Sequence, residues 1–213
     1  GEWGRIVRQR EEGFRLDESP TDAALAALGR LGRGRLLAVG DLGAIVLIRH
    51  DGAELVDSPS DTSYRDLVTD GTTILAVGTN GGILRGQVGA FAPSRVPEAG
   101  NLWAVTGKPD DALAVGDEGL ILRIDEERSN RVPCEVAASL RGVMRSPEGA
   151  WAVGTNGTIV RIENGGCVLE ARPQETVPPR GGEPGHRHRA IRRRHLGTGG
   201  PLGRAGQPSS DSS

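Results

Sequence analysis

Apolar residues in this chain fall in short runs, and the runs recur at a constant step. Leu37-Ala38-Val39-Gly40, Leu75-Ala76-Val77-Gly78, Leu113-Ala114-Val115-Gly116 and Trp151-Ala152-Val153-Gly154 are each 38 residues apart. A second glycine follows each word (Gly43, Gly81, Gly119, Gly157), and then an isoleucine (Ile45, Ile83, Ile121, Ile159). A fixed period of this size is the mark of a repeat architecture.

One repeat reads as four short strands. In the second copy, Tyr64–Val68, Ile74–Gly78, Gly82–Arg85 and Phe91–Val96 are separated by turn residues. The Thr79-Asn80-Gly81 link predicts a tight hairpin, with Gly81 free to take the positive φ of a bulge after the turn. The first and third copies place Asp41 and Asp117 there, and an aspartate can bond its own backbone two residues on. The eight repeated glycines are therefore expected to be structural. The second strand is apolar on both faces, so it needs a neighbour on each side. Four-stranded antiparallel sheets packed face to face are the blades of a β-propeller, and that all-β fold is the expectation. In this arrangement the first strand of each unit lies nearest the central channel. Trp103 and Trp151 are expected to pack between blades, with stacking on a ligand as the alternative.

The period also organises the chain. Gly4-Arg5-Ile6-Val7-Arg8 matches Gly157-Thr158-Ile159-Val160-Arg161 with one residue of drift, so residues 1–20 read as half a blade. Further repeats begin near residues 26, 64, 102 and 140, and the propeller region spans residues 1–168. Thr21–Leu31 has helical propensity, but its phase predicts a strand. The count is about four to four and a half blades, which points to a partial ring. Residues 169–213 are rich in Arg, Gly, Pro and Ser and contain almost no apolar run. This tail is expected to be disordered or out of register.

Charge sharpens this division. The net charge is −2, yet from residue 170 onward there are eight arginines against four acids. The body is mildly acidic and the tail basic. Nucleic acid is not the expected partner, because the cluster from His186 to His195 lacks aromatics and an ordered scaffold. No run of 18 apolar residues spans a membrane. The two cysteines, Cys134 and Cys167, occupy different phases of the repeat. The leading reading is two buried thiols; the alternative is a disulfide between neighbouring repeats.

Catalytic chemistry is sparse. No Ser/His/Asp set, phosphate loop or HExxH pattern occurs, and no catalytic, cofactor or metal residue is assigned. Arg85, Arg123 and Arg161 share one phase and form either a basic stripe or solvated strand ends. His50 is expected to face solvent. A sialidase-like glycosidase would need an activated tyrosine, and Tyr64 is the single tyrosine. The bland reading of Tyr64 is a core residue of an inner strand.

The stretch Trp151-Ala-Val-Gly-Thr-Asn-Gly-Thr-Ile-Val-Arg161 resembles the repeat of the photosystem II assembly/stability factor family. It is also similar to BNR, or Asp-box-like, propellers. The Asp-box itself is degenerate here, as in Arg49-His-Asp-Gly-Ala-Glu-Leu55. The resemblance covers about residues 1–168. It implies a bacterial, secreted or periplasmic propeller that binds proteins rather than catalysing. The expected function is thus a non-catalytic scaffold for a protein or a surface glycan, without cofactor. The alternatives are a sialidase-like hydrolase and a truncated or frameshifted propeller fragment without independent function.

Overall fold

The computed structural model describes residues 2–97, 99–163 and 165–171. Residues 169–171, expected to belong to the tail, instead pair in the last strand of the last blade, and the rest of the basic tail, with the His186–His195 cluster, lies outside the described residues.

The fold is an all-β propeller arc. β1 (Ile6–Arg10) and β2 (Gly13–Asp17) form an antiparallel pair. Four four-stranded antiparallel blades follow, each with its strands in chain order. The first blade holds β3 (Leu25–Arg30), β4 (Leu36–Gly40), β5 (Ile45–Ile48) and β6 (Ala53–Leu55). The second holds β7 (Tyr64–Thr69), β8 (Ile74–Gly78), β9 (Gly82–Gln87) and β10 (Ala90–Arg95). The third holds β11 (Leu102–Lys108), β12 (Asp111–Gly116), β13 (Ile121–Asp125) and β14 (Ser129–Arg131). The fourth holds β15 (Leu140–Ser146), β16 (Gly149–Gly154), β17 (Ile159–Glu163) and β18 (Gly166–Ala171). The first strands β3, β7, β11 and β15 touch one another in succession, so they form the inner edge. The helix-prone Thr21–Leu31 stretch contains strand β3: its ladder to β4, with Leu28 opposite Ala38, overrides local propensity.

The two faces of each second strand bury against different neighbours. Ile74 and Ala76 of β8 pack with Leu37, Val39, Ile45 and Leu47 of the first blade. Leu75 and Val77 of the same strand pack with Ala112, Ala114 and Leu122 of the third. Leu113 and Val115 then meet Ala150 and Ala152 of the fourth. Each interface mixes large side chains with small ones, Ala76, Ala112, Ala114, Ala150 and Ala152 among them, which allows close sheet-to-sheet approach. Each fully buried Leu or Ile stabilises the stack by about 1.5–3 kcal/mol. Among the described residues nothing covers the last blade's outer face. Val153 is 49% exposed, whereas its counterparts Val39, Val77 and Val115 are 0% exposed.

The turn between the second and third strands explains much of the repeated word. At Asp117–Leu120, both central residues take positive φ (Glu118 53°, Gly119 70°), and the Leu120 N–H closes on the Asp117 carbonyl at 3.0 Å. This is the type I′ arrangement. Two connectors pass directly beside it, the one that enters β11 and the one that leads from β14 to β15. A Cβ on Gly116 would lie 2.2 Å from the Asn101 carbonyl oxygen, and one on Gly119 would lie 1.9 Å from that of Val136. The Gly119 N–H donates to Ala138 O and the Asp117 N–H to Asn101 O, so turn and connectors are locked together.

The cysteines are not free thiols. Cys134, in the connector from β14 to β15, is bonded to Cys167 of β18, with a Cα–Cα distance of 5.1 Å. Their separation of 33 residues is close to one repeat, and this brings the exit of one blade against the outer strand of the next. The Pro133 carbonyl lies beside Gly166 at the same seam. The leading expectation of two buried thiols is corrected, and the staple joins neighbouring repeats.

Candidate functional site

Every inner strand carries the same irregularity. Pairing runs from Leu25, Tyr64, Leu102 and Leu140 opposite Gly40, Gly78, Gly116 and Gly154. It then skips one residue before resuming at Ala27, Asp66, Ala104 and Gly142. The skipped residues are Ala26, Arg65, Trp103 and Arg141. A β-bulge re-aims the side chain of its extra residue, and bulges are frequent beside functional sites. Here three successive blades use that position for a large cationic or aromatic group.

The three side chains form one cluster. The Arg141 guanidinium lies 3.8 Å from the Trp103 ring centroid and that of Arg65 lies 5.8 Å away. Both are within cation–π range. Trp103 donates Nε1–H to Asp117 Oδ1 at 2.7 Å. Ser139 Oγ donates to the same oxygen at 3.0 Å, and the Asn101 N–H and Nδ2 donate to Oδ2 at 3.1 and 2.9 Å. Burial alone would raise the Asp117 carboxyl, but hydrogen bonds from Trp103, Ser139 and Asn101 outweigh it and hold it below the ordinary value. Arg65 pairs with Asp41 through Nη1 at 2.8 Å, while its buried Nε has no hydrogen-bond partner. Arg141 is exposed and has no carboxylate partner among the described residues. Contrary to the sequence expectation of a bond to their own backbone, the Asp41 carboxylate is taken by Arg65 and that of Asp117 by Trp103, Ser139 and Asn101. The Asp41 carboxylate reaches the inner strand of the next blade, and that of Asp117 reaches the inner strand of its own blade and Ser139 at the entrance to the next, because the turn sits beside both. Trp103 is correspondingly half-buried at the inner edge, between two guanidinium groups.

Asp66, next to the bulge, bridges two blades. Its Oδ2 accepts from the Val105 N–H and its Oδ1 from the Leu67 N–H, both at 2.8 Å. Burial raises its carboxyl above the ordinary value despite these two bonds.

Other candidates fall elsewhere. Tyr64 is 1% exposed and packs in the interface with Leu37 and Ile74. Burial pushes its phenol up; Ser60, Thr62 and Ser58 lie nearest, without a hydrogen bond of ordinary geometry to the hydroxyl. A nucleophilic tyrosine in the channel is thus not available from this residue. Arg85 acts as a clamp between blades, donating to the carbonyls of Pro109 and Asp125. Arg8 does the same from the half blade to Arg49 and His50 carbonyls. Arg161 pairs with Glu163 and Glu170. His50 is exposed and Trp151 half-buried on β16. Arg65 and Arg141 were not singled out by sequence reasoning, although a signal existed: positions 65, 103 and 141 share one phase of the 38-residue period.

The turns themselves carry a second feature. Leu42, Asn80, Glu118 and Asn156 sit at φ 53–57°, and Trp3 at 58° opens the half blade in the same way. Asparagine tolerates this left-handed region; leucine, tryptophan and glutamate rarely adopt it. Leu42 is 80% exposed and Trp3 71%. The Leu42 N–H donates to Ser63 Oγ at 3.1 Å and that of Asn80 to Asn101 Oδ1 at 3.2 Å. Ser63 and Asn101 immediately precede β7 and β11, so these tips stand at the same end of the blades as the bulge cluster.

No family model matches the chain, and no curated protein matches it by sequence. Solved structures do resemble it. A structure of YCF48 bound to D1 peptide superposes with a TM-score of 0.56 at 19% identity, covering 80% of this chain and 58% of that one. YCF48 from Cyanidioschyzon merolae gives 0.58 at 16% identity, covering 74% and 59%. The WD40 β-propeller domain of Doa1 gives 0.55 at 11%, covering 69% and 54%. The chain spans less than two thirds of the length of each, and at these identities the likeness is one of fold.

Proposed function

We propose that this chain is a non-catalytic, protein-binding propeller whose turn end receives a carboxylate-bearing peptide. One observation carries the reading: Arg65, Trp103 and Arg141 occupy the same bulge position on three successive blades and converge on one ring. Trp103 is held by Asp117, so the platform is formed in advance. Arg141 has no acid of its own among the described residues and offers a fork of donors suited to a carboxylate. YCF48, which has a similar fold, has been solved bound to a peptide. A peptide is favoured over a glycan because Arg141 covers ring surface on which a sugar would stack. The Cys134–Cys167 bond supports an oxidising compartment, in keeping with a secreted or periplasmic protein. Kinship with Asp-box propellers rests on the sequence word alone.

The test is fluorescence anisotropy with labelled acidic and neutral peptides of equal length. The acidic set should bind more tightly, with affinity falling as salt rises. Arg65→Ala and Arg141→Ala should each weaken it about tenfold, the scale of one charge-assisted hydrogen bond. Equal binding of acidic and neutral peptides would overturn the proposal.

A further inference from the structure

We infer that Leu42 is a specificity-determining residue of this surface, and that the peptide it selects carries a bulky apolar side chain next to its carboxylate. This rests on the reading just given and extends it to the partner's composition.

Five equivalent turn tips share the left-handed region, and two of them, Asn80 and Asn156, are asparagines that tolerate it. Leu42 adopts the same φ of 55° as a branched aliphatic, and its side chain remains 80% exposed. Burial therefore does not compensate its unfavourable backbone, and the turn does not require it. Residues held in such conformations cluster at ligand clamps.

Position then identifies what Leu42 would meet. The preceding residue, Asp41, pairs with Arg65 at 2.8 Å, and Leu42 itself is tethered through its N–H to Ser63, two residues before Arg65. Leu42 thus belongs to the turn whose carboxylate holds Arg65, at the same end of the blades as that guanidinium. The tips also differ in character from blade to blade. Trp3 and Leu42 are apolar and exposed, Asn80 and Asn156 are polar, and Glu118 is acidic. An apolar side chain of the ligand finds its complement on the Trp3–Leu42 side. A peptide with its apolar residue adjacent to an acid satisfies Leu42 and Arg65 together.

The experiment uses the full chain and two fluorescein-labelled pentapeptides, Ser-Leu-Asp-Glu-Ser and Ser-Ser-Asp-Glu-Ser, read by anisotropy. The leucine peptide should bind wild type about tenfold more tightly, the scale of burying one branched aliphatic side chain. Leu42→Asn should abolish that preference by lowering the leucine peptide's affinity to about that of the serine peptide. Leu42→Gly should behave in the same way, and thermal melts should show both variants folded. Equal binding of the two peptides to wild type, or a preference that survives both substitutions, would overturn the inference alone. Binding of neither peptide would overturn this inference and the proposed function together.

Discussion

Trp103 and Asp117 are joined at 2.7 Å, indole N–H to carboxylate, across the width of one blade. The bond ties the inner strand β11 to the turn after β12, alongside the bonds from Asn101 to the same carboxylate. It also orients the ring against which Arg141 lies. A single carboxylate thus supports the centre of the candidate surface, and its protonation should be visible in stability.

The pH dependence has a definite sign. The folded-state value of Asp117 lies below its unfolded one, so its contribution is complete above about pH 4, the ordinary aspartate range. It is lost as pH falls further, through the folded value. The stability gap between wild type and Asp117→Asn should therefore be constant from pH 7 to 5 and shrink below pH 4, measured by urea unfolding. Asp66 should behave oppositely, because burial raises its value. Relative to Asp66→Asn, wild type should lose stability as pH rises from about 4 through that raised value. A gap for Asp117→Asn that is flat down to pH 2 would refute the assignment.

Substitution of the approach glycines should be severe. Gly119→Ala places a methyl group 1.9 Å from Val136 O at a φ of 70°. Gly116→Ala meets Asn101 O at 2.2 Å without unfavourable φ. Losses of about 2–4 kcal/mol are expected for each, larger at Gly119, where steric overlap and backbone strain combine. Chemical denaturation reads this directly.

The turn tips offer a contrasting test. Glu118→Asn keeps the turn and relieves a non-glycine residue at φ 53°. It should raise stability by about 1 kcal/mol. An unchanged melting temperature would mean that the turn does not bear this strain.

The disulfide should contribute by restricting the unfolded chain. For its separation of 33 residues the loop-entropy account gives about 3–4 kcal/mol. The double variant Cys134→Ser/Cys167→Ser should lose that amount. Reductant should lower wild type to the same level and leave the variant unaffected.

The blade architecture was legible in the sequence because its causes are local and periodic. Leu75 and Ile74 alternate along one strand, Asn80-Gly81 closes a hairpin, and a constant step repeats both. Apolar alternation and turn chemistry act between residues near in sequence, so they leave their mark there. The candidate surface was less legible. Arg65, Trp103 and Arg141 recur at one phase, but their meeting depends on the bulge and on the spacing of blades around the arc. The partners of Asp41 and Asp117 were misread for a related reason: whether a side chain turns back or reaches across depends on which strand begins beside it. The pairing of Cys134 with Cys167 likewise required knowing that the exit of one blade runs along the outer strand of the next. The sequence by itself thus determined the repeat, the strands and the two-faced core, since these follow from periodicity and conformational preference. Only the tertiary structure decided which charges, rings and sulfurs meet, because those contacts are set by the packing of one blade against another.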